Sequence, residues 1–230
     1  LPTGTVRFPP GTHVTELSGF AEGAFWVQDT AAALPAALLA ARPGERVADL
    51  CAAPGGKTAQ LAATGAAVTA IERDGARLAR LAGNLERLRL PAELVQADVT
   101  AWSTDRLFDA VLLDAPCSAT GTIRRHPDVA WLKRPRDVAA MAAQQDRLLA
   151  AAASLLRPGG RLIYAVCSLQ PEEQEPAIAG RRLRPEPFSE AELAAIPQAR
   201  TPAGTLRTLP CLWPEFGGMD GFFAARFTKL

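Results

Sequence analysis

The residues with the greatest chemical reach in this 230-residue chain are its four cysteines, Cys51, Cys117, Cys167 and Cys211. No two are close enough for a Cys-x-x-Cys knuckle. His13 and His126, the only histidines, have no partner at ligand spacing, so no metal site is expected. Two thiols stand in polar turn sequences, Asp114-Ala115-Pro116-Cys117-Ser118 and Tyr164-Ala165-Val166-Cys167-Ser168. Each follows an apolar run that reads as a strand, which puts both at the sheet edge where α/β proteins bind ligands. One cysteine at a strand end is ordinarily a small buried hydrophobe. Two at the same edge are better explained as reacting groups. A thiolate that adds to C6 of a pyrimidine turns the ring into an enamine-like species whose C5 can accept a methyl group. Loss of the C5 proton and of the thiol then restores the ring. The attacking sulfur must be a thiolate, favoured by nearby cations or helix N-termini. Spacing alone leaves open which of Cys117 and Cys167 attacks.

A methyl donor needs its own site, and Asp49-Leu50-Cys51-Ala52-Ala53-Pro54-Gly55-Gly56-Lys57-Thr58 reads as a strand running through a Gly-rich loop into a helix. Gly55 and Gly56 let the backbone approach a ligand, and the helix start offers free N–H groups. Gly56-Lys57-Thr58 is compatible with the end of a nucleotide-binding P-loop, with Val111-Leu112-Leu113-Asp114 as its partner strand. That pattern requires a glycine where Cys51 stands. A nucleoside cofactor such as S-adenosylmethionine fits better. Glu72, closing the second strand, is then placed for the ribose hydroxyls, and Asp98, after the third, for the adenine.

The elements that must position these groups alternate along the chain. Residues 1–24 are rich in Gly, Pro and Thr and irregular; Asp29 or Thr30 can cap a helix to about Ala41, with Pro35 kinking it or marking its first turn. Strands are expected at Val47–Cys51, Ala67–Ile71, Glu93–Ala97, Phe108–Leu113, Arg161–Val166 and Phe222–Phe227. Helices are expected at Lys57–Ala63, Ala76–Leu90 and Val138–Leu156, the last stopped by Pro158-Gly159-Gly160, with another starting near Pro171. The 181–205 stretch is the least legible. Near-continuous apolar strands alternating with helices imply a parallel sheet covered on both faces. At 230 residues, one domain with an appendage is expected rather than two domains. Hydrophobic residues at 48% and charged residues at 21% rule out disorder and fibrous structure. The net charge of +1 gives no overall field that marks a nucleic-acid binder. No apolar run is long enough to span a membrane, and the start at Leu1 without Met points to a processed or truncated terminus.

Local charge is another matter. Arg124, Arg125, Lys133, Arg134 and Arg136 face a single acid, Asp128, between positions 124 and 136. With His126, these residues suit contacts to phosphates and unpaired bases. Arg181, Arg182 and Arg184 read as solvated, and His13, Trp26, Trp102, Trp213 and Cys211 as packing or surface residues.

Taken together, Cys51-Ala-Ala-Pro-Gly-Gly-Lys57, Asp114-Ala-Pro-Cys117-Ser and Tyr164-Ala-Val-Cys167-Ser resemble the RNA 5-methylcytosine methyltransferases of the Sun/Fmu/RsmB type. Ile123-Arg-Arg-His-Pro-Asp-Val-Ala-Trp-Leu132 resembles their bacterial 16S ribosomal RNA branch in particular. The likeness runs from about residue 14 to Asp220-Gly221-Phe222-Phe223. It implies a class I (Rossmann-like) methyltransferase fold, α/β and doubly wound, with seven mostly parallel strands, the last antiparallel. It implies a small N-terminal appendage over residues 1–28 and a catalytic domain over 29–230. By the resemblance Cys167 is the nucleophile, Cys117 assists product release, and Asp114 and Lys57 orient donor and base. S-adenosylmethionine is held by Cys51 to Lys57 with Glu72, Asp98 and Asp114. Val166 stands where the family usually has Thr, Glu72 where Asp is commoner, and Val-Thr follows Asp98 in place of a Gly-containing turn. DNA cytosine methyltransferases, which attack from a Pro-Cys motif, have no need of Cys167 and carry a Glu-Asn-Val motif that is missing here. The expected protein is a cytoplasmic monomer that methylates C5 of a cytosine in RNA, 16S rRNA first and tRNA or other rRNA next. A ribosome-assembly factor that binds RNA without catalysis is the alternative from another class. Relatives often carry an all-helical RNA-binding domain ahead of this region.

Overall fold

The computed structural model describes residues 1–9, 11–174, 176 and 180–230. β1 (Arg46–Leu50) is buried at four consecutive positions, which only a strand covered on both faces can satisfy. β2 (Ala67–Glu72), β3 (Glu93–Gln96), β4 (Phe108–Asp114) and β5 (Leu156–Val166) run parallel to it, in the order β3-β2-β1-β4-β5. β8 (Phe222–Lys229) pairs antiparallel with β5. Its other edge is shared by β6 (Leu183–Pro185), against positions 227–229, and β7 (Leu206–Thr208), against positions 222–224.

The sheet therefore has eight strands rather than the expected seven. β6 and β7 occupy one lane, interrupted by the excursion of residues 186–205. Two three-residue pieces, one ending in Pro185, carry no period-two signal, which is why the sequence left this stretch unread. Pro158-Gly159-Gly160 also acts differently from expectation. The long helix α5 (Pro135–Ser154) ends earlier, and the Pro-Gly-Gly run lies inside β5 at a register shift between Phe108 and Ala110 of β4.

Alternate residues face alternate layers. Val47, Ala110, Leu112, Ile163 and Ala165 pack under α1 (Thr30–Leu39) and α2 (Gly56–Ala63). Ala48, Leu50, Val111, Leu113, Leu162 and Tyr164 pack against Leu148, Leu149 and Ala152 of α5. α3 (Gly75–Leu88) buries Leu81, Leu85 and Leu88 against Ala59 and Ala70. α1 is capped by Asp29, which accepts from the Ala31 N–H at 2.9 Å, and it runs through Pro35 rather than starting there. Two short helices, α4 (Val129–Leu132) and α6 (Pro171–Gln174), complete the set. Among the described residues no helix is long and apolar enough to cross a membrane.

Candidate active site

Parallel strands in register deliver their C-terminal ends to one edge. Leu50 of β1 lies beside Ile71 of β2 and Leu113 of β4, and Asp114 lies beside Ala165 of β5. Cys51, Glu72, Asp98, Asp114, Cys117 and Cys167 thus leave the sheet together, on both sides of the point between β1 and β4 where strand order reverses. The antiparallel β8 begins at this edge and brings Asp220 and Phe222 to it.

After β1 the chain turns through Ala52, Ala53 and Pro54 to Gly55, whose φ of 101° is a left-handed conformation that favours glycine. A Cβ there would also sit 3.0 Å from the Leu81 side chain. The loop and the β2 and β3 ends wall a cavity lined by Cys51, Glu72, Arg77, Asp98, Pro116 and Leu148. Glu72 is buried, yet only one of its oxygens is engaged in a hydrogen bond, accepting from the Asp74 N–H at 3.1 Å. Its Oε2 has no hydrogen-bond partner, although Arg77 lies 3.5 Å away. A buried acceptor facing a cavity fits a ligand that presents hydroxyls, as a ribose does. Asp98 lines the same cavity from an exposed position, its carboxylate held below the usual range by bonds from the Thr100 hydroxyl and N–H. The residues present therefore fit a nucleoside cofactor. Substituting Glu72→Ala should weaken S-adenosylmethionine binding about tenfold or more, with folding retained, as calorimetric titration and thermal melting would read.

On the other side of the loop lies a cleft of about 560 Å³, lined among others by Lys57, Asp114, Arg125, Cys167, Asp220 and Phe222. Lys57 Nζ donates to Asp114 Oδ2 at 2.8 Å and lies 5.1 Å from the centre of the Phe222 ring. The pair is mostly buried, with side chains 11% and 30% exposed. Cys117 and Cys167 are free thiols with their sulfurs 3.4 Å apart, in hydrogen-bond contact. Their environments differ. The hydrogen bond from Cys117 holds Cys167 below the ordinary thiol value, and the Lys57 ammonium acts in the same sense against burial and the Asp114 charge. Cys117 is pushed up by that same bond, by burial and by the Cys167 and Glu173 charges. The asymmetry favours the proton on Cys117 over the proton on Cys167.

Three features of this edge were not read from the sequence. Asp49, fully buried, accepts from Thr58 Oγ1 at 2.6 Å, and burial pushes its carboxyl up to about 7. The native state thus holds this proton to about pH 7, whereas the unfolded chain releases it near the ordinary 3.8. Stability from this group is complete below pH 3.8 and declines as pH rises to about 7, by up to roughly 4 kcal/mol. Asp49→Asn should remove that slope, visible as melting curves of the two proteins that diverge across this window. The second feature is the N-terminal segment, which lines the cleft through Phe20, Trp26 and Gln28. Trp26, expected only to pack, donates to Gln28 Oε1 at 2.9 Å. The third is Gly121. Its N–H donates to Cys167 O at 3.0 Å, and a Cβ would come within 1.9 Å of Gly221 O, so only glycine lets these backbones meet.

The basic segment divides in two. Arg125 binds Asp220 through Nε, at 3.0 Å to each carboxylate oxygen, and through Nη2. Arg124 reaches Asp29 at 3.0 Å and Asp220 at 3.3 Å. Both arginines are thus tied to buried acids that latch β8 to the start of α1, although Arg125 also faces the cleft. His126, Lys133, Arg134 and Arg136 are exposed. Arg181, read as solvated, instead pairs with Asp146 at 2.6 Å.

This strand order, with its antiparallel strand beside β5 and a ligand cavity at the strand ends, defines a class I methyltransferase domain. A solved methyltransferase homologue from Pyrococcus horikoshii superposes on 96% of this chain and 73% of its own, with a TM-score of 0.76 and 29% identity. The structure of NSun6 from the same organism, solved with SFG, superposes on 94% of this chain and 56% of its own, with a TM-score of 0.80 and 28% identity. The chain belongs to the 16S rRNA methyltransferase RsmB/F family, whose model matches residues 36–228. It is 45% identical to ribosomal RNA small subunit methyltransferase B of Erwinia tasmaniensis over 229 residues and 44% identical to that of Klebsiella pneumoniae over 229. These matches cover 97% of this chain and 51% of each relative, so the chain spans about half the length of the relatives it matches.

Proposed function

We propose that residues 29–230 form the catalytic domain of an S-adenosylmethionine-dependent enzyme that methylates C5 of a cytosine in 16S rRNA through a covalent Cys167 adduct, in the cytoplasm. The observation that carries this reading is the pair of free thiols 3.4 Å apart at a cleft that also holds the Lys57–Asp114 pair. The names of the relatives support ribosomal RNA as the substrate. The SFG in the NSun6 structure, an analogue of S-adenosylmethionine, supports the cofactor.

The cofactor is held by Cys51 to Lys57, Glu72, Asp98 and Asp114, and when bound it supplies the methyl group to C5. A cleft of about 560 Å³ accommodates a single base withdrawn from its stack. Cys167 thiolate forms a bond to C6, and the C5=C6 electron pair moves to C5. With the Cys117 hydrogen bond, Lys57 favours the thiolate before attack, and with Asp114 it orients the base. After methylation, a solvent water takes the C5 proton, and the C–H electron pair returns to the C5–C6 bond and expels Cys167 as thiolate. Cys117 stands where its S–H donates to that leaving sulfur, lowering the barrier to release. His126, Lys133, Arg134 and Arg136 hold the RNA backbone at the rim, and Arg124 and Arg125 contribute through the loop that they brace. Incubation with labelled S-adenosylmethionine and unmodified small-subunit RNA, followed by nucleoside analysis, should yield 5-methylcytidine. Label in any other nucleoside refutes the assignment.

A further inference from the structure

Behind the thiols lies a carboxylate that the chemistry above does not use. Glu173, on α6, is 1% exposed. Its Oε1 accepts from the Ser118 N–H at 2.8 Å and from Gln145 Nε2 at 3.0 Å. Its Oε2 accepts from the Ser118 hydroxyl at 2.5 Å and from the Ser168 hydroxyl. All four donors are neutral, and among the described residues no cation pairs with it. Desolvating a carboxylate is expensive, and an apolar side chain would fill the space at less cost, so packing alone does not account for it.

Its partners do. Ser118 and Ser168 directly follow Cys117 and Cys167 in the chain, and their hydroxyls are 3.0 Å apart. The ladder between β4 and β5 stops at Asp114 and Ala165, before either thiol. Beyond it, the loops are joined by the Gly121 N–H on Cys167 O and by the ring of hydroxyls closed on Glu173. The residue is itself held, because Tyr164 OH donates to the Glu173 backbone carbonyl at 2.8 Å, and Gln145, which donates to the carboxylate, also donates to the Pro116 carbonyl at 2.9 Å. We infer that Glu173 is a positioning residue whose carboxylate clamps the Cys117 and Cys167 loops in the one register that lets Cys117 donate to Cys167. For its catalytic meaning this rests on the two-thiol reading above; the geometric claim can be tested without RNA or cofactor. The titratable groups around the pair are Lys57, Asp114, Arg125 and Asp220 on the cleft side, and Tyr164 and Glu173 on the buried side.

The test is alkylation of Cys167 by iodoacetamide across pH, read by peptide mass mapping on the 230-residue chain. Glu173→Gln keeps the shape but turns an N–H donor toward other donors. It should slow alkylation at pH 7 about tenfold and raise its pH midpoint by about one unit, with cooperative melting retained. Should that variant not fold, the Ser118→Ala/Ser168→Ala double variant, which removes only the two hydroxyls, must show the same shift. In a Cys117→Ala background Glu173→Gln should add no further rise, because the donor that it places is gone. A wild-type rate and midpoint in a folded variant overturns the proposal, and so does an equal further rise without Cys117, which would indicate general loosening. Failure of the wild-type protein to methylate RNA would count against the proposed function and leave this result standing.

Discussion

Cys167→Ser should lose methyl transfer by at least about 10⁴-fold, while Cys117→Ala should accumulate RNA joined covalently to the protein. The first loss is large because no other described group in the cleft can supply a soft, anionic nucleophile to C6. Serine is a poor substitute, since its hydroxyl stays protonated, whereas the Cys117 hydrogen bond and Lys57 draw the Cys167 thiol below its ordinary value. The second outcome differs in kind. Removing Cys117 takes away the donor 3.4 Å from the leaving sulfur, so the adduct forms and its breakdown slows. A band that resists denaturing electrophoresis and requires both RNA and S-adenosylmethionine would report it. Transfer that survives Cys167→Ser, with the adduct appearing on Cys117, would reverse the two roles.

Lys57→Met should lower the single-turnover rate by about 10²- to 10³-fold, with S-adenosylmethionine affinity changing far less. Three effects of the ammonium are lost at once. It no longer favours the Cys167 thiolate, it leaves the Asp114 carboxylate without its 2.8 Å partner, and it vacates its place beside the Phe222 ring. The reaction should then require higher pH, because Cys167 loses a cation while the Asp114 charge beside it remains. Rapid-quench measurement of methyl transfer from pH 6 to 9 separates this from a binding defect. An unchanged pH profile with an unchanged rate would remove Lys57 from the chemistry.

The candidate reacting groups were legible because each is written into a local pattern. An apolar run followed by a polar turn puts Cys117 and Cys167 at strand ends whatever the rest of the chain does, and Gly55-Gly56 ahead of a helix marks a ligand loop. The parallel order followed from strands too apolar to have a wet face. The Asp49 and Glu173 carboxylates were not legible, because a buried acid and a surface acid look alike until their partners are known. Glu173 finds Ser118 across 55 residues and Ser168 across five, and nothing in α6 itself announces either.

Local sequence thus determined which residues are candidates to react and which strands carry them, since both follow from side-chain chemistry and hydrophobic period within a few positions. Tertiary structure decided the rest. Arg124 and Arg125 read as free cations for RNA until Asp220, 95 residues away from Arg125, arrives with β8 to pair with them. The broken outer lane of the sheet exists only because β8 offers an edge to two fragments too short to be strands alone. The difference between two similar thiols is a matter of surroundings: the hydrogen bond between them lowers Cys167 and raises Cys117, Lys57 from α2 adds to the first effect, and burial with Glu173 from α6 adds to the second, all brought together by a fold in which distance along the chain sets no limit on contact.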